Sequence, residues 1–150
     1  MVYTEMGEYD KAKANLLIAA NASDYMTPEN ACVNLALLEM KFNKPEAAMR
    51  HVDKGLQLNN RFAPLLNLRA ILLENQGKLE EALDNYERAG LLQPETADNA
   101  IGAARMLFKL GRTQDAMAKI EEALGKIKDP AEKQRVLEMM HEIEKADTPK

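Results

Sequence analysis

The stretch APLLNLRAILLENQGKLEEALDNYERAGLLQP, residues 63–94, holds one complete structural unit. Pro64 opens an apolar segment that the pattern predicts to be helical as far as Gln76, and Gly77 stops it. A second helix is predicted from Lys78 to Leu91, closed by Gln93-Pro94. Inside that second helix, Ala82 is followed one turn later by the large Tyr86, and seven residues later by the small Ala89. Small-then-large spacing of this kind lets two helices approach closely at the alanine and fill the adjoining space with the large side chain.

Outward from this unit the same marks recur. Ala48, Ala82 and Ala116 lie 34 residues apart, and Ala12 lies 36 before Ala48. Ala19, Gly55, Ala89 and Ala123 follow these alanines by seven residues, and Gly7, Asn43, Gly77 and Gly111 precede them by five as helix stops. A second series of small residues, Ala36, Ala70 and Ala104, marks the first helix of each full unit, again at 34-residue steps. A period near 34 residues is the mark of stacked helix pairs. The irregular step of 36 places a two-residue loop extension around Asp24 to Thr27.

The remaining helices follow from breakers and caps. A helix is predicted from about Tyr9 to Asn21, carrying Ala12, Leu16, Ala19 and Ala20 on one stripe. Thr27 caps a helix that begins at Pro28 and runs to about Phe42. Pro45 opens the next, to about Leu58. Further helices are expected over about 97–110 and 113–127. Asp129-Pro130-Ala131-Glu132 reads as a capping box leading a last helix to about Ala146, with Val136, Leu137, Met140 and Ile143 on one face. No β-branched alternation of period two appears, so the expected class is all-α.

These residues resemble the tetratricopeptide repeat. Residues 63–96 match best, through Ala70, Gly77, Ala82, Tyr86, Ala89 and Pro94; 29–62 and 97–130 are the other full units, and 1–28 is a partial one. The chain departs from the pattern where Cys32, Leu66 and Ala100 replace an expected Trp, at Arg69, and where Asn60 and Lys128 stand for the closing Pro. The resemblance implies a single domain, a right-handed α-solenoid of helix-turn-helix repeats with a C-terminal capping helix over 130–146 and a tail over 147–150. With Gly7 as a stop, most of the first unit's leading helix is expected before Met1, so a fragment of a longer protein is favoured over a stunted cap at residues 1–6. The helix around Leu16 and Leu17 then bares apolar surface, and concentration-dependent self-association through it is expected.

Composition narrows the chemistry. The net charge is −4, and the 20 Lys and Arg are scattered with no run of four, which disfavours nucleic acid. No apolar stretch approaches the roughly 20 residues of a membrane span. The N-terminus has no basic region followed by an apolar block, so it does not read as a signal. Cys32 is the only cysteine, expected to pack inward as a small hydrophobe. His51 and His141 are read as solvent-facing, with no ligand spacing around them, so no metal is expected. Glu80, Glu81, Asp84, Glu87, Glu121 and Glu122 read as solvated faces with pairs such as Asp84–Arg88. No catalytic group and no cofactor are expected, so the chain is not read as an enzyme.

The resemblance further implies a concave groove lined by the first helices. Carried over residue by residue, its wall consists of Asn30, Val33, Leu37 and Met40; then Pro64, Asn67, Ile71 and Glu74; then Asp98, Ile101, Arg105 and Phe108. Most of these are apolar, with Asn67, Glu74 and Arg105 as polar handles. The family's clamp for acidic chaperone tails needs Lys and Asn where this chain has Val33 and Leu37, so that clamp is absent. The expected partner is a protein or peptide with an apolar segment, such as one face of a helix. The second unit, NLALLEMKFNKPEAAMRHVDKGLQLNN, with Lys44-Pro45 after its stop, is similar to repeat proteins of type IV pilus biogenesis. Envelope assembly and a regulatory arm of a larger enzyme are the alternatives to a general scaffold. The compartment is left between cytoplasm and bacterial periplasm.

Overall fold

The structure, a computed structural model, describes residues 2–21 and 27–148, with side chains over 5–18 and 27–148. Among these residues there are eight helices and no strand: α1 Val2–Asn21, α2 Pro28–Lys41, α3 Pro45–Leu58, α4 Ala63–Asn75, α5 Leu79–Leu92, α6 Asp98–Lys109, α7 Thr113–Leu124 and α8 Pro130–Asp147. Each boundary from α2 onward falls within a few residues of its sequence expectation. The loop extension around Asp24 falls on residues 22–26, outside the described residues.

Local chemistry explains the punctuation. Thr27 accepts a hydrogen bond from the Asn30 amide at 3.3 Å, and Asp129 accepts one from the Glu132 amide at 3.0 Å. Each satisfies a donor that the first helical turn leaves unpaired. Asn43, Gly77 and Gly111 have φ of 56°, 76° and 76°. After each, one bonding pattern recurs: the backbone amides of Lys44, Lys78 and Arg112 donate to the carbonyls of Glu39, Leu73 and Leu107 at 2.8, 3.0 and 2.8 Å. This is the Schellman closure, which needs a left-handed residue and so selects Gly or Asn.

Gly7 corrects the sequence reading. It is not a stop, because α1 runs unbroken from Val2 to Asn21 through it. A mid-helix glycine costs only about 0.5–1 kcal/mol, too little to end a helix without closure bonds. A clean contrast follows. Gly77→Ala and Gly111→Ala have open space around the new methyl but a left-handed backbone, so each should cost about 1–2 kcal/mol. Gly7→Ala, in equally open space and ordinary helical geometry, should instead stabilise by up to about 1 kcal/mol. Thermal melts of the three variants read the difference directly.

The chain divides into two compact units, residues 1–72 and 73–150. In the first, Cys32, Ala36, Ala48, Val52, Leu65, Leu68 and Leu72 form the core, with Met40, Met49 and Phe62 packed at its edge. α1 joins this unit by packing on α2. In the second, α6 packs between α5 and α7, and α7 packs on α8. Its core holds Ala82, Tyr86, Ala89, Ala104, Met106, Leu107, Ala116, Ile120 and Ala123, closed by Val136 and Ile143 of α8. Leu137 departs from the expected apolar face of α8, being 40% exposed. The alanines of the 34-residue ladder from Ala36 to Ala123 have no accessible surface. Ala12 is only half-buried.

Candidate functional site

In the first unit the residues expected to face a partner occupy one stripe of α2. Asn30 and Leu37 are exposed, and Val33 and Met40 are half-buried. Leu37 keeps 47% of its surface in solvent, a large apolar side chain on a helix whose opposite face is the core. The stripe exists because α2 places Cys32, Leu35, Ala36 and Glu39 inward, and 3.6 residues per turn puts 33 and 40 at the core's edge, where they pack against it, and 30 and 37 beyond them. On α4, Asn67 and Ile71 are half-buried.

In the second unit, Glu74, Ile101, Arg105 and Phe108 are all partly exposed. Glu74 and Arg105 do not stand as separate polar handles, because they hold each other. Arg105 Nε donates to Glu74 Oε1 at 3.1 Å, and Nη2 donates to Oε2 at 2.9 Å. The Tyr86 hydroxyl donates to Oε2 at 2.9 Å, and Lys109 Nζ reaches Oε1 at 3.4 Å. A carboxylate offers about four acceptor sites, so Glu74 is saturated. Burial pushes its carboxyl upward, but the guanidinium and the hydroxyl outweigh burial and hold it below the usual range. Burial raises the Tyr86 hydroxyl strongly, aided by the adjacent Glu74 carboxylate. Tyr86 thus stays a neutral donor, packed under α6 where the helix carries Gly102.

Two features escaped the sequence reading. Glu39, on the inward stripe of α2, is fully buried. The Tyr9 hydroxyl lies 2.8 Å from both its oxygens, Lys13 Nζ lies 3.0 Å from Oε1, and His51 Nε2 lies 3.6 Å from Oε1. His51 is therefore half-buried against a carboxylate rather than solvent-facing as expected, while His141 is exposed. The signal was present: Glu39 follows Cys32 by seven residues and Leu35 by four, so a charge sits on the apolar stripe. Lys109 is the other, one turn beyond Arg105 on α6.

Cys32 is buried, and burial raises its thiol, which makes it a packing group rather than a nucleophile. Among the described residues no cluster of three or more His, Cys, Asp or Glu side chains is arranged to hold a metal ion. Also among them, no helix is long and apolar enough to cross a membrane.

No family model matches the chain. Human protein O-mannosyl-transferase TMTC1 is 31% identical over 86 residues, covering 57% of this chain and 10% of that protein. An uncharacterized protein of Haemophilus influenzae is 27% identical over 107 residues, covering 71% of this chain and 60% of that protein. The chain thus spans less than two thirds of either relative. Among solved structures, MamA superposes with a TM-score of 0.77 at 16% identity, covering 94% of this chain and 80% of that one. The Yersinia enterocolitica type III secretion chaperone SycD, in complex with a peptide of the translocator YopD, gives 0.71 at 17%, covering 78% and 92%. Pseudomonas aeruginosa pilF gives 0.72 at 23%, covering 93% and 65%. These likenesses show the fold, an all-α helix-pair array of the α-solenoid class.

Proposed function

From the premise that the chain has the tetratricopeptide-repeat fold, we propose that it is a protein-interaction module. Each unit takes an apolar segment of a partner on its own outward stripe, that of α2 and α4 in the first and that of α6 in the second. The observation that carries this reading is Leu37, 47% exposed beside the half-buried Val33 and Met40 on one helix face. A single exposed leucine is ordinary, but here Leu37 continues an apolar strip with Val33 and Met40, and contiguous apolar surface of this kind marks contact sites. The SycD structure supports it as a case in which this fold holds a peptide. In the first unit Asn30 supplies a hydrogen bond to the guest and Ile71 extends the apolar contact; in the second, Ile101 and Phe108 supply the apolar contact.

Leu37→Glu and Ile71→Glu test the reading. Each places a charge against an apolar guest, so each should weaken partner capture by at least about tenfold, roughly 1.4 kcal/mol, with helical content unchanged. Unchanged capture by a folded double variant would sink it. The exposed Met6, Leu17 and Ile18 on α1 support self-association as a further property, and light scattering of the free chain over a concentration series reads it.

A second reading is favoured by the TMTC1 match, which concerns a small share of an enzyme's length. The chain is then a binding arm that delivers or selects a protein substrate for a larger enzyme. A type IV pilus assembly role draws on the stretch over residues 34–60 and on the likeness to pilF. The partner recovered with wild type but not with the Leu37→Glu variant discriminates among the three.

A further inference from the structure

Between α6 and α8 of the second unit lies an open hollow of about 290 Å³ lined by Ile101, Glu132, Arg135, Val136 and Met139. Its floor is apolar: Val136 is buried, and Ile101 and Met139 are half-buried. Ile101, Arg105 and Lys109 follow one another at intervals of four residues, so they lie on one face of α6, about 6 Å apart along its axis. The cationic end of that face is incompletely used. Arg105 commits Nε and Nη2 to Glu74 and Tyr86, and among the described residues Nη1 has no hydrogen-bond partner. Arg105 is 40% exposed, and Lys109, with one contact at 3.4 Å, is 48% exposed. Two cations share the single charge of Glu74, which leaves a net +1 beside an apolar hollow, in a chain whose net charge is −4. Of the charged residues that line the hollow itself, Glu132 and Arg135 offset one another, so the uncompensated charge beside it is that of Arg105 and Lys109.

We propose that this face of α6 and α8 docks an acidic amphipathic peptide. Its apolar side chain fills the Ile101–Val136–Met139 hollow, and an Asp or Glu one turn along meets Arg105 Nη1 and Lys109 Nζ. This deepens the groove reading, on which it rests, by naming the charge of the guest and by giving the last helix a part in binding. The free donors of Arg105 are preorganised, because Glu74 and Tyr86 already fix the guanidinium plane, and less side-chain entropy is lost on binding.

Two dye-labelled peptides are the probes: Ac-ALEELAELLEEA-amide and the same sequence with every glutamate replaced by lysine. Fluorescence anisotropy is read with the full chain at low salt. The overall charge of −4 favours the basic peptide, so non-specific attraction predicts the opposite of the proposal. The expected result is at least fivefold tighter binding of the acidic peptide, with the preference shrinking at high salt. Met139→Glu should weaken it at least tenfold, Met139→Lys should tighten it, and Lys109→Gln should weaken it two- to fivefold. Met139 is half-buried rather than part of the buried core, so these variants are expected to stay helical by circular dichroism. Equal or tighter binding of the basic peptide overturns the proposal. So does acidic-peptide binding that ignores both changes at Met139, or no binding of either peptide. Loss of binding in Leu37→Glu without any effect at Met139 would leave the groove reading standing and remove only this one.

Discussion

Gly102→Val is expected to lower stability by about 3 kcal/mol, with a fall in melting temperature of roughly 6–12 °C. A Cβ at residue 102 would sit 2.5–2.6 Å from three carbons of the Tyr86 ring. That ring cannot withdraw cheaply. Tyr86 is 2% exposed, and its hydroxyl is tied to Glu74. Either the ring breaks that bond, leaving a polar group poorly paired, or α6 shifts from α5 and opens the alanine contacts around Ala82 and Ala104. The clash is specific, so a smaller residue at 86 should relieve it. Tyr86→Leu with Gly102→Val should lose less than the sum of the two single losses, by about 1 kcal/mol or more. Simple additivity in denaturant melts would show that the glycine is not there for the tyrosine.

Glu39→Ala is expected to cost about 3 kcal/mol, in the range for removing one partner of a buried ion pair. It leaves the Tyr9 hydroxyl, itself buried, without its acceptor, and it opens a cavity beneath α2. Lys13 and His51 lose less, because both keep access to water. Tyr9 packs edge-on to Phe42 at 5.1 Å, with Lys44 Nζ 3.7 Å from the ring centre, so part of its anchorage survives. The loss should therefore appear first as faster amide exchange over residues 5–18. Tyr9→Phe, which removes only the hydroxyl, should cost about 1 kcal/mol. Equal exchange in Glu39→Ala and wild type would mean that α1 is held by something else.

Acid should reproduce that release. Burial pushes the Glu39 carboxyl upward, but the Lys13 and Tyr9 donors outweigh it and hold it below the ordinary glutamate value of 4.5. A carboxylate with a depressed native pKa contributes stability that is present above its unfolded value and lost as pH falls through its native one. Burial, with help from Lys13, holds His51 below 6.5 despite Glu39 nearby, so it resists charging in the folded chain. That contribution is lost as pH falls from about 6.5 toward the native value. Both groups act in one direction: stability of the first unit should decline below about pH 6.5 and more steeply below about 4.5. The Glu39→Ala variant should lack the lower step.

The sequence reading located the helices well because their signals are local. Pro28, Pro45 and Pro130 open helices, and Asn43, Gly77 and Gly111 close them by one backbone requirement that few other residues meet. It failed at Gly7, where the residue was right and the closure bonds were missing. It missed Glu39 and misread His51 for the converse reason: the partners of Glu39, Tyr9 and Lys13, lie about thirty residues away, His51 reaches Glu39 from the next helix, and only packing brings them together. Glu74 and Arg105 were both picked as polar handles, yet nothing local shows that a residue 31 positions distant will saturate a carboxylate.

By itself, then, the sequence determined the repeat, its 34-residue step and the buried alanines, since periodicity and turn chemistry act within a few residues. Tertiary structure alone decided which charges are free and which are spent. Side-chain pairing depends on distances of 3 Å between groups far apart in the chain, and no spacing rule carries that information. The same physics separates Leu37, left in solvent, from Glu39 two residues later, withdrawn from it entirely.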